Sequence, residues 1–374
     1  MQVQCIDNDE AFLSLRHEWN ALWRDSANPS YFSSHDWIRC CWQELRATRA
    51  MRILVVRHGS EPVVIAPWMR SRGSRNKLRV NLMTFIEHPE SQVADLLCRA
   101  TPESEQGFRA LMRHLSRELS AEWDLLALDK IPKTSPIVHW FERTQLHSNR
   151  SPQKSSSQVL VIPLGGSWDT YLSARSARFR KTLRNITNRI QRMGRVAVKC
   201  HRGDQLTAEA IGKLFSIADA SWKLESGVAI TSSKARKDFF EEVFRSGFTA
   251  EGIRIWILEV DGRAIASETQ VVDGRTVYAL RSDYDEQFGD GSPGVYLQME
   301  ILKNLFGGSY QEYNFGAGLN PYKARWTDQH AELMNFRLYN ETLYGRLLQW
   351  IDQYKTSPFP RLRMLQGVFA DKGS

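Results

Sequence analysis

The chain repeats itself at long range, and that limits its fold more than any other feature. Trp23-Arg24 followed by Ser33-Ser34 matches Trp222-Lys223 followed by Ser232-Ser233, at one offset of 199 residues. Arg52-Ile-Leu-Val-Val, with Gly59 and Val63-Val64-Ile65-Ala66 behind it, matches Arg254-Ile-Trp-Ile-Leu, with Asp261-Gly262 and Ile265-Ala266-Ser267, at an offset near 202. A three-residue slip in the loop between helix and hairpin reconciles the two. Self-similarity at this spacing means one ancestral unit used twice. Each half reads strand, helix, helix, then a hairpin, whose turn in the second half is the strong two-residue signal Asp261-Gly262.

The second half is the more legible. A strand is expected at Arg195–His201, a helix from about Thr207 to Lys223, and another over Lys234–Phe244. Strands follow at Ile253–Val260, Ala264–Val272 and Thr276–Ser282. A helix over Pro293–Phe306, a strand at Glu312–Phe315, a short helix near Pro321–Trp326 and a strand at Leu333–Tyr339 complete it. The first half repeats this order more faintly and ends with a strand at Trp123–Leu128. The serine-rich stretch Ser148–Ser157, with Pro152, reads as a linker. The expected organisation is α+β: two related domains, 1–150 and 158–374, each a mixed, mostly antiparallel sheet flanked by helices.

Charge sharpens the picture. The chain of 374 residues carries 50 Lys+Arg against 42 Asp+Glu, a formal charge of +8. Ten of the basic residues and no acid lie between Thr170 and Gly203, and the remainder is slightly acidic at 40 against 42. Within this segment Phe179, Leu183, Ile186, Ile190 and Met193 form one apolar stripe at helical period, with Arg180, Lys181, Arg184, Arg189, Arg192 and Arg195 opposite. Residues 170–194 are therefore expected to hold an amphipathic basic helix, with Gly194 as its C-cap. It is either a solvated face packed on the domain or a site for an anionic ligand, an acidic membrane surface or RNA over Arg175–Arg195. Only Phe179 is aromatic there, which argues against a base-stacking surface.

Other function classes fall away. The first ten residues hold neither a basic nor an apolar signal region, and no apolar run reaches a membrane-spanning length of about 18 residues. Five cysteines without paired spacing (Cys5, Cys40, Cys41, Cys98, Cys200) point to reduced thiols and a cytoplasmic setting. Histidine and cysteine spacings suggest no metal site.

Two elements carry chemistry. Gly289-Asp-Gly291-Ser-Pro-Gly294 satisfies GxGxxG, but six residues part it from the preceding strand, and no acid follows at the position a dinucleotide fold requires. Ser292 as N-cap and Pro293 at the first helical position instead suggest a helix start whose glycines let backbone amides face an anion. The same residues also make a well-capped loop without a ligand. Downstream, Tyr313-Asn-Phe-Gly316-Ala-Gly318-Leu-Asn-Pro-Tyr322-Lys323-Ala-Arg-Trp326 runs from strand through a glycine turn into a short helix. Tyr322 and Lys323 are candidate proton donors or anion clamps there, or else a core tyrosine and an exposed lysine.

Taken together, Trp222-Lys223, Phe239-Phe240, Asp261-Gly262-x-x-Ile265-Ala266, Ser292-Pro-Gly294 with Leu297, and Tyr313-x-Phe-Gly with Tyr322-Lys323-x-x-Trp326 resemble the GNAT acyltransferase superfamily. More narrowly, they resemble the tandem-GNAT proteins of the cellulose-biosynthesis (CelD-like) type, relatives of the FemAB peptidyltransferases. The resemblance covers Val159–Tyr339, and the first half through the repeat. It implies acyl transfer from acetyl-CoA or another acyl-CoA to an amine, on a small molecule, a sugar or a polysaccharide precursor. The thioester would lie against the strand at Leu280, Arg281 and Ser282, and the pyrophosphate on the loop at Gly289, Gly291, Ser292, Gly294 and Val295. Trp222, Lys223, Asp283, Tyr284 and Asn314 would face the acceptor. Glu268 is the candidate general base, Tyr322 would protonate the leaving thiolate, and Lys323 would meet an anionic group. The FemAB side of the resemblance implies the alternative of aminoacyl transfer from charged tRNA. A pseudo-acyltransferase serving as a partner protein is a third reading. Two positions depart from pattern: Glu286 stands where GNAT loops carry Gln or Arg, and Asn314 replaces the FemAB aspartate. The first half lacks both signature elements, so it is expected to have lost cofactor binding and to shape an acceptor cleft.

Overall fold

A computed structural model of the chain describes residues 1–145, 152–246, 252–318 and 320–356. The first half holds strands β1 (Gln2–Ile6), β2 (Ala50–His58), β3 (Glu61–Arg75), β4 (Leu78–Phe85), β5 (Leu97–Cys98) and β6 (Leu125–Pro132). Its helices are α1 (Asp9–Ser14), α2 (Arg16–Arg24), α3 (His35–Leu45), α4 (Pro102–Arg117) and α5 (Pro136–Gln145). After β7 (Gln153–Pro163) come α6 (Trp168–Ser173), α7 (Ala177–Arg192), β8 (Val196–Arg202), α8 (Ala208–Asp219) and α9 (Lys234–Arg245). The hairpin strands β9 (Ile253–Val260), β10 (Arg263–Asp273) and β11 (Thr276–Tyr284) lead into α10 (Pro293–Phe306), β12 (Glu312–Asn314), α11 (Pro321–Ala324), β13 (His330–Tyr339) and α12 (Leu343–Thr356).

The repeat is real in three dimensions. The sheet order is β1-β2-β3-β4-β6-β13-β7-β12-β11-β10-β9-β8, so the two halves enter from opposite ends with the same sequence of strands. Neighbours are antiparallel except at one place in each half, β4 with β6 and β11 with β12. The matched serines do the same job twice. Ser34 Oγ accepts from the Trp37 amide to start α3, and Ser233 Oγ accepts from the Arg236 amide to start α9. Asp261 and Gly262 both have positive φ (50° and 82°), as a two-residue hairpin turn requires.

The centre differs from the expectation. Residues 148–151 of the serine-rich stretch lie outside the described residues, and Gln153–Ser157 already belong to β7, paired with β13 (Ser157 opposite Leu333, Ser155 opposite Asn335). Most of these serines are exposed, and a strand outside the core needs no hydrophobic alternation to betray it. The last strand also leaves its own half: β13 lies between β6 and β7, antiparallel to both. Phe336 stacks on Phe141 at 4.6 Å in the first-half core, so one sheet runs across the expected boundary. Helices α3 and α9 pack against each other there, with Trp37 edge-on to Phe239 at 5.6 Å.

Helix α7 behaves as its periodicity demands. Phe179, Leu183, Ile186 and Ile190 are buried, and Arg178, Lys181, Arg184, Arg189 and Arg192 are exposed. Gly194 follows the C-cap Met193, and a Cβ on it would stand 2.1 Å from the Asp261 carboxylate. Helix α8, by contrast, stops at Asp219, four residues before the expected Lys223. Trp222 and Lys223 are thereby released into a loop.

Candidate active site

The parallel pair β11/β12 creates the site. Thr276, Val277 and Tyr278 pair with Glu312, Tyr313 and Asn314, and there the pairing ends. Beyond it, Ala279–Tyr284 pair, among the described residues, only with β10, with an extra residue near Leu280 where Ala279 faces Gln270 and Arg281 faces Thr269. Such a bulge twists the strand away from its neighbour. The opened notch is a cleft of about 580 Å³.

Ala279, Leu280, Arg281, Ser282, Asp283 and Tyr284 form one wall; Phe315, Asn320, Tyr322 and Lys323 stand opposite. Gly289, Ser292, Pro293, Gly294, Val295 and Gln298 close the helix end, and Trp222, Lys223 and Glu90 frame it further. Thirteen of the sixteen residues expected at the site therefore meet in one cleft. Glu268, Gly291 and Asn314 do not line it.

Gly291 is buried away from the cleft. A Cβ there would lie 2.7 Å from Met193 Cε and 3.0 Å from Ile190 Cδ1, so the missing side chain lets α7 pack closely. Asn314 is also buried, and its Oδ1 accepts from the Gly316 amide at 2.9 Å to shape the glycine turn. Ser292 differs from the expected side-chain cap. It adopts the left-handed conformation (φ 56°, ψ 52°) and makes no side-chain cap; its carbonyl accepts from Val295 and Tyr296 instead. Pro293 sits in the first turn as expected. Gly289 and Gly294 face the cleft, where an added Cβ would meet only the Tyr284 ring, at 3.9 and 3.7 Å.

Glu268 sits immediately behind the cleft wall, 2 % exposed, mid-strand in β10. Its Oε2 accepts from Ser282 Oγ at 2.9 Å, and its Oε1 from Tyr313 at 2.8 Å and Gln270 Nε2 at 2.7 Å. Trp256 Nε1 holds Gln270 in turn, at 3.0 Å. Burial raises the Glu268 carboxyl above its ordinary value, against the three hydrogen bonds that lower it. Burial also raises the Tyr322 hydroxyl and lowers the Lys323 ammonium. Lys323 Nζ donates to the carbonyls of Gly316 (3.2 Å) and Ala317 (2.7 Å), tying α11 to the glycine turn.

Charges in the wall alternate. Asp283, 3 % exposed, receives Lys223 Nζ at 3.0 Å and Arg281 Nε at 2.7 Å, and Arg281 reaches Glu90 at 3.4 Å. Glu90 comes from the first half, in the segment after β4. That segment is 16 residues long before α4, against eight between β11 and α10. It lies against β6: the Ala94 amide donates to the Lys130 carbonyl, and Lys130 Nζ to the Ser91 carbonyl. It also supports the second half, where Gln92 Oε1 accepts from the Ala317 amide at 3.2 Å.

Sequence reasoning missed Tyr313 as a site hydroxyl, and also Gln298 and Glu90. Gln298 had a signal, as a lone amide in the apolar run Val295–Ile301 apart from Glu300. Nothing local to Glu90 reveals its place, which depends on how the halves dock.

Residues 177–324, from the start of α7 to the end of α11, match the family model of the acetyltransferase (GNAT) domain. The chain is similar in fold to FemX (TM-score 0.57, 11% identity, covering 94% of this chain and 100% of that one). It is similar to the C-terminal domain of an Agrobacterium fabrum protein named for lysylphosphatidylglycerol synthesis (TM-score 0.53, 11% identity, 91% and 97% covered). A Bacteroides thetaiotaomicron protein of unknown function compares likewise (TM-score 0.54, 12% identity, 90% and 100% covered). No curated protein matches the chain.

Proposed function

We propose that the GNAT acetyltransferase domain of this chain transfers an acyl group from a coenzyme A thioester to an amine. The observation that carries this reading is the notch where β11 leaves β12, open directly onto the glycine-lined start of α10. A thioester carbonyl fits against Ala279–Ser282. The phosphates fit at Gly289 and Gly294, where side chains would fill the space and the helix dipole favours negative charge. Among the described residues no three or more His, Cys, Asp or Glu side chains are grouped so that they could hold a metal ion, and the proposed chemistry calls on none.

The chain's own groups supply proton handling. An attacking ammonium must lose a proton, and Ser282 Oγ offers the path: it takes the proton while passing its own to Glu268 Oε2. A carboxyl raised by burial holds that proton better at neutral pH than an exposed one. Tyr322, raised by burial, stays protonated and serves as a hydrogen-bond donor to the departing sulfur. Lys323 fixes the opposite wall. The first half contributes Glu90 to the walls, and Gln92 supports the glycine turn behind them.

The acceptor is proposed as the amine of a small molecule or sugar, in line with the resemblance to polysaccharide-pathway acetyltransferases. A second reading, aminoacyl transfer from an RNA ester, draws on the exposed cations of α7, of which Arg178, Lys181, Arg184 and Arg192 have no ion pair among the described residues. No helix among the described residues is long and apolar enough to cross a membrane.

Thermal denaturation with and without acetyl-CoA tests the donor, since a ligand bound only by the native state raises the melting temperature. A saturable rise with acetyl-CoA or a longer acyl-CoA supports the first reading. No rise with any acyl-CoA, and a rise with aminoacyl-tRNA, would replace it with the second.

A further inference from the structure

Gln298 lies on α10 one turn beyond Gly294, is 2 % exposed and lines the cleft. Its Oε1 is 3.1 Å from the Tyr313 hydroxyl, while its Nε2, also buried, has no hydrogen-bond partner among the described residues. Leaving a buried amide N–H without an acceptor is costly, so a side chain held this way beside a cleft points to an acceptor carried by the ligand.

The other end of the contact matters as much. Tyr313 also meets Glu268 Oε1 at 2.8 Å, and one hydroxyl has one proton to donate. With Glu268 ionised, Tyr313 donates to the carboxylate, and its oxygen can accept only from the Gln298 amide nitrogen, turned inward. With Glu268 protonated on the oxygen that faces Tyr313, Glu268 donates to Tyr313 and Tyr313 donates to Gln298 Oε1, which leaves Nε2 directed at the cleft. Ser282, Glu268, Tyr313 and Gln298 thus form one hydrogen-bonded chain that begins and ends on the cleft.

We propose that Gln298 is a catalytic residue whose Nε2–H stabilises the oxyanion of the tetrahedral intermediate, and that proton uptake by Glu268 turns it into place through Tyr313. The inference rests on the acyl-transfer reading above. In the step, the amine nitrogen bonds to the thioester carbon and the carbonyl π pair moves onto oxygen. The ammonium proton passes to Ser282 Oγ, and the Ser282 proton to Glu268 Oε2. The protonated carboxyl then turns about its Cγ–Cδ bond, which brings its O–H to Tyr313 and its bare oxygen to Ser282; Tyr313 donates to Gln298 Oε1, and Nε2–H meets the oxyanion. Collapse re-forms the carbonyl and breaks the C–S bond. The carboxyl turns back, the proton returns through Ser282 to the thiolate, and nothing is oxidised or reduced. Tyr313 acts only through Gln298 and is a positioning residue.

The experiment is infrared difference spectroscopy of acetyl-CoA, isotope-labelled at the carbonyl and bound to the full chain, with affinity measured in parallel. In the unaltered protein the bound carbonyl stretch should fall below its solution value, more so at pH values that protonate Glu268. Gln298→Met should abolish the fall with affinity changed less than about threefold, and should lower turnover with acetyl-CoA and glucosamine by roughly 100- to 1000-fold, as removal of one oxyanion donor does. Tyr313→Phe should keep part of the fall and lose its pH dependence. Should Gln298→Met fail to fold, the isosteric Gln298→Glu decides the matter. An unchanged stretch and turnover in a folded Gln298 variant that binds acetyl-CoA overturns this inference alone. If the unaltered protein binds no acyl-CoA, the donor reading falls, and this one with it.

Discussion

Asp95 offers a stability test of the segment that carries Glu90 into the cleft. Its carboxyl is 5 % exposed and accepts from the Leu96 amide at 2.8 Å and Ser135 Oγ at 2.9 Å. Burial outweighs these bonds and raises its pKa from 3.8 to about 7. The folded state therefore keeps the proton over a range where the unfolded chain has lost it. The stability this contributes is complete below the unfolded value and is lost as pH rises through about 7. From about pH 5 to 7 the loss is about 1.4 kcal/mol per pH unit, or roughly 3 kcal/mol in all. That is a sizeable part of a total near 5–15 kcal/mol. Asp95→Asn keeps an oxygen for Leu96 and Ser135 and cannot ionise. Urea unfolding of both proteins at several pH values from about 5 to 8 should show the unaltered protein losing ground to the variant as pH rises. Glu87, Glu268, Asp273 and Glu312 are also raised by burial and push the same way in both proteins, so the difference isolates Asp95. A difference constant to within about 0.5 kcal/mol across the range would refute the account, given the error of such extrapolations.

Two glycines that look alike in sequence should respond in opposite ways. Gly291→Val drives a side chain into Met193 and Ile190 and should cost about 1–3 kcal/mol of stability in urea unfolding. Gly294→Val meets only Tyr284 and should leave stability within about 1 kcal/mol while abolishing acetyl-CoA binding by calorimetry. Normal binding by Gly294→Val would remove the phosphates from this loop. Ser282→Ala should lower turnover roughly 100-fold or more and alter the pH–rate profile, with acetyl-CoA affinity kept. Unchanged kinetics would mean that the proton leaves by another route.

Local chemistry made much of this protein legible. The strand Ile253–Val260 and the helix Pro293–Phe306 were readable to the residue, because a run of buried β-formers and a proline-started apolar helix satisfy their backbones without distant help. The amphipathic period of α7 and the Asp261-Gly262 turn depend on the same short-range rules. Most of the residues that the resemblance implied also meet in one cleft, since those from Leu280 to Val295 lie on one strand, one loop and one helix start.

What lay beyond reach depended on partners far along the chain. A glycine looks the same whether it spares room for a ligand or for a neighbouring helix, and only the placement of Met193 and Ile190 separates Gly291 from Gly294. Nothing local to Glu268, the candidate base, fixes whether it is buried; its burial follows from Tyr313, Gln270 and Ser282 closing around it. The repeat showed that the fold is used twice. It could not show that β13 crosses into the first half, or that the segment after β4 lies against β6 and also walls the notch of the other half. Strand partnership and the occupancy of a notch are long-range matters, settled by which surfaces bury together and not by the residues along either strand.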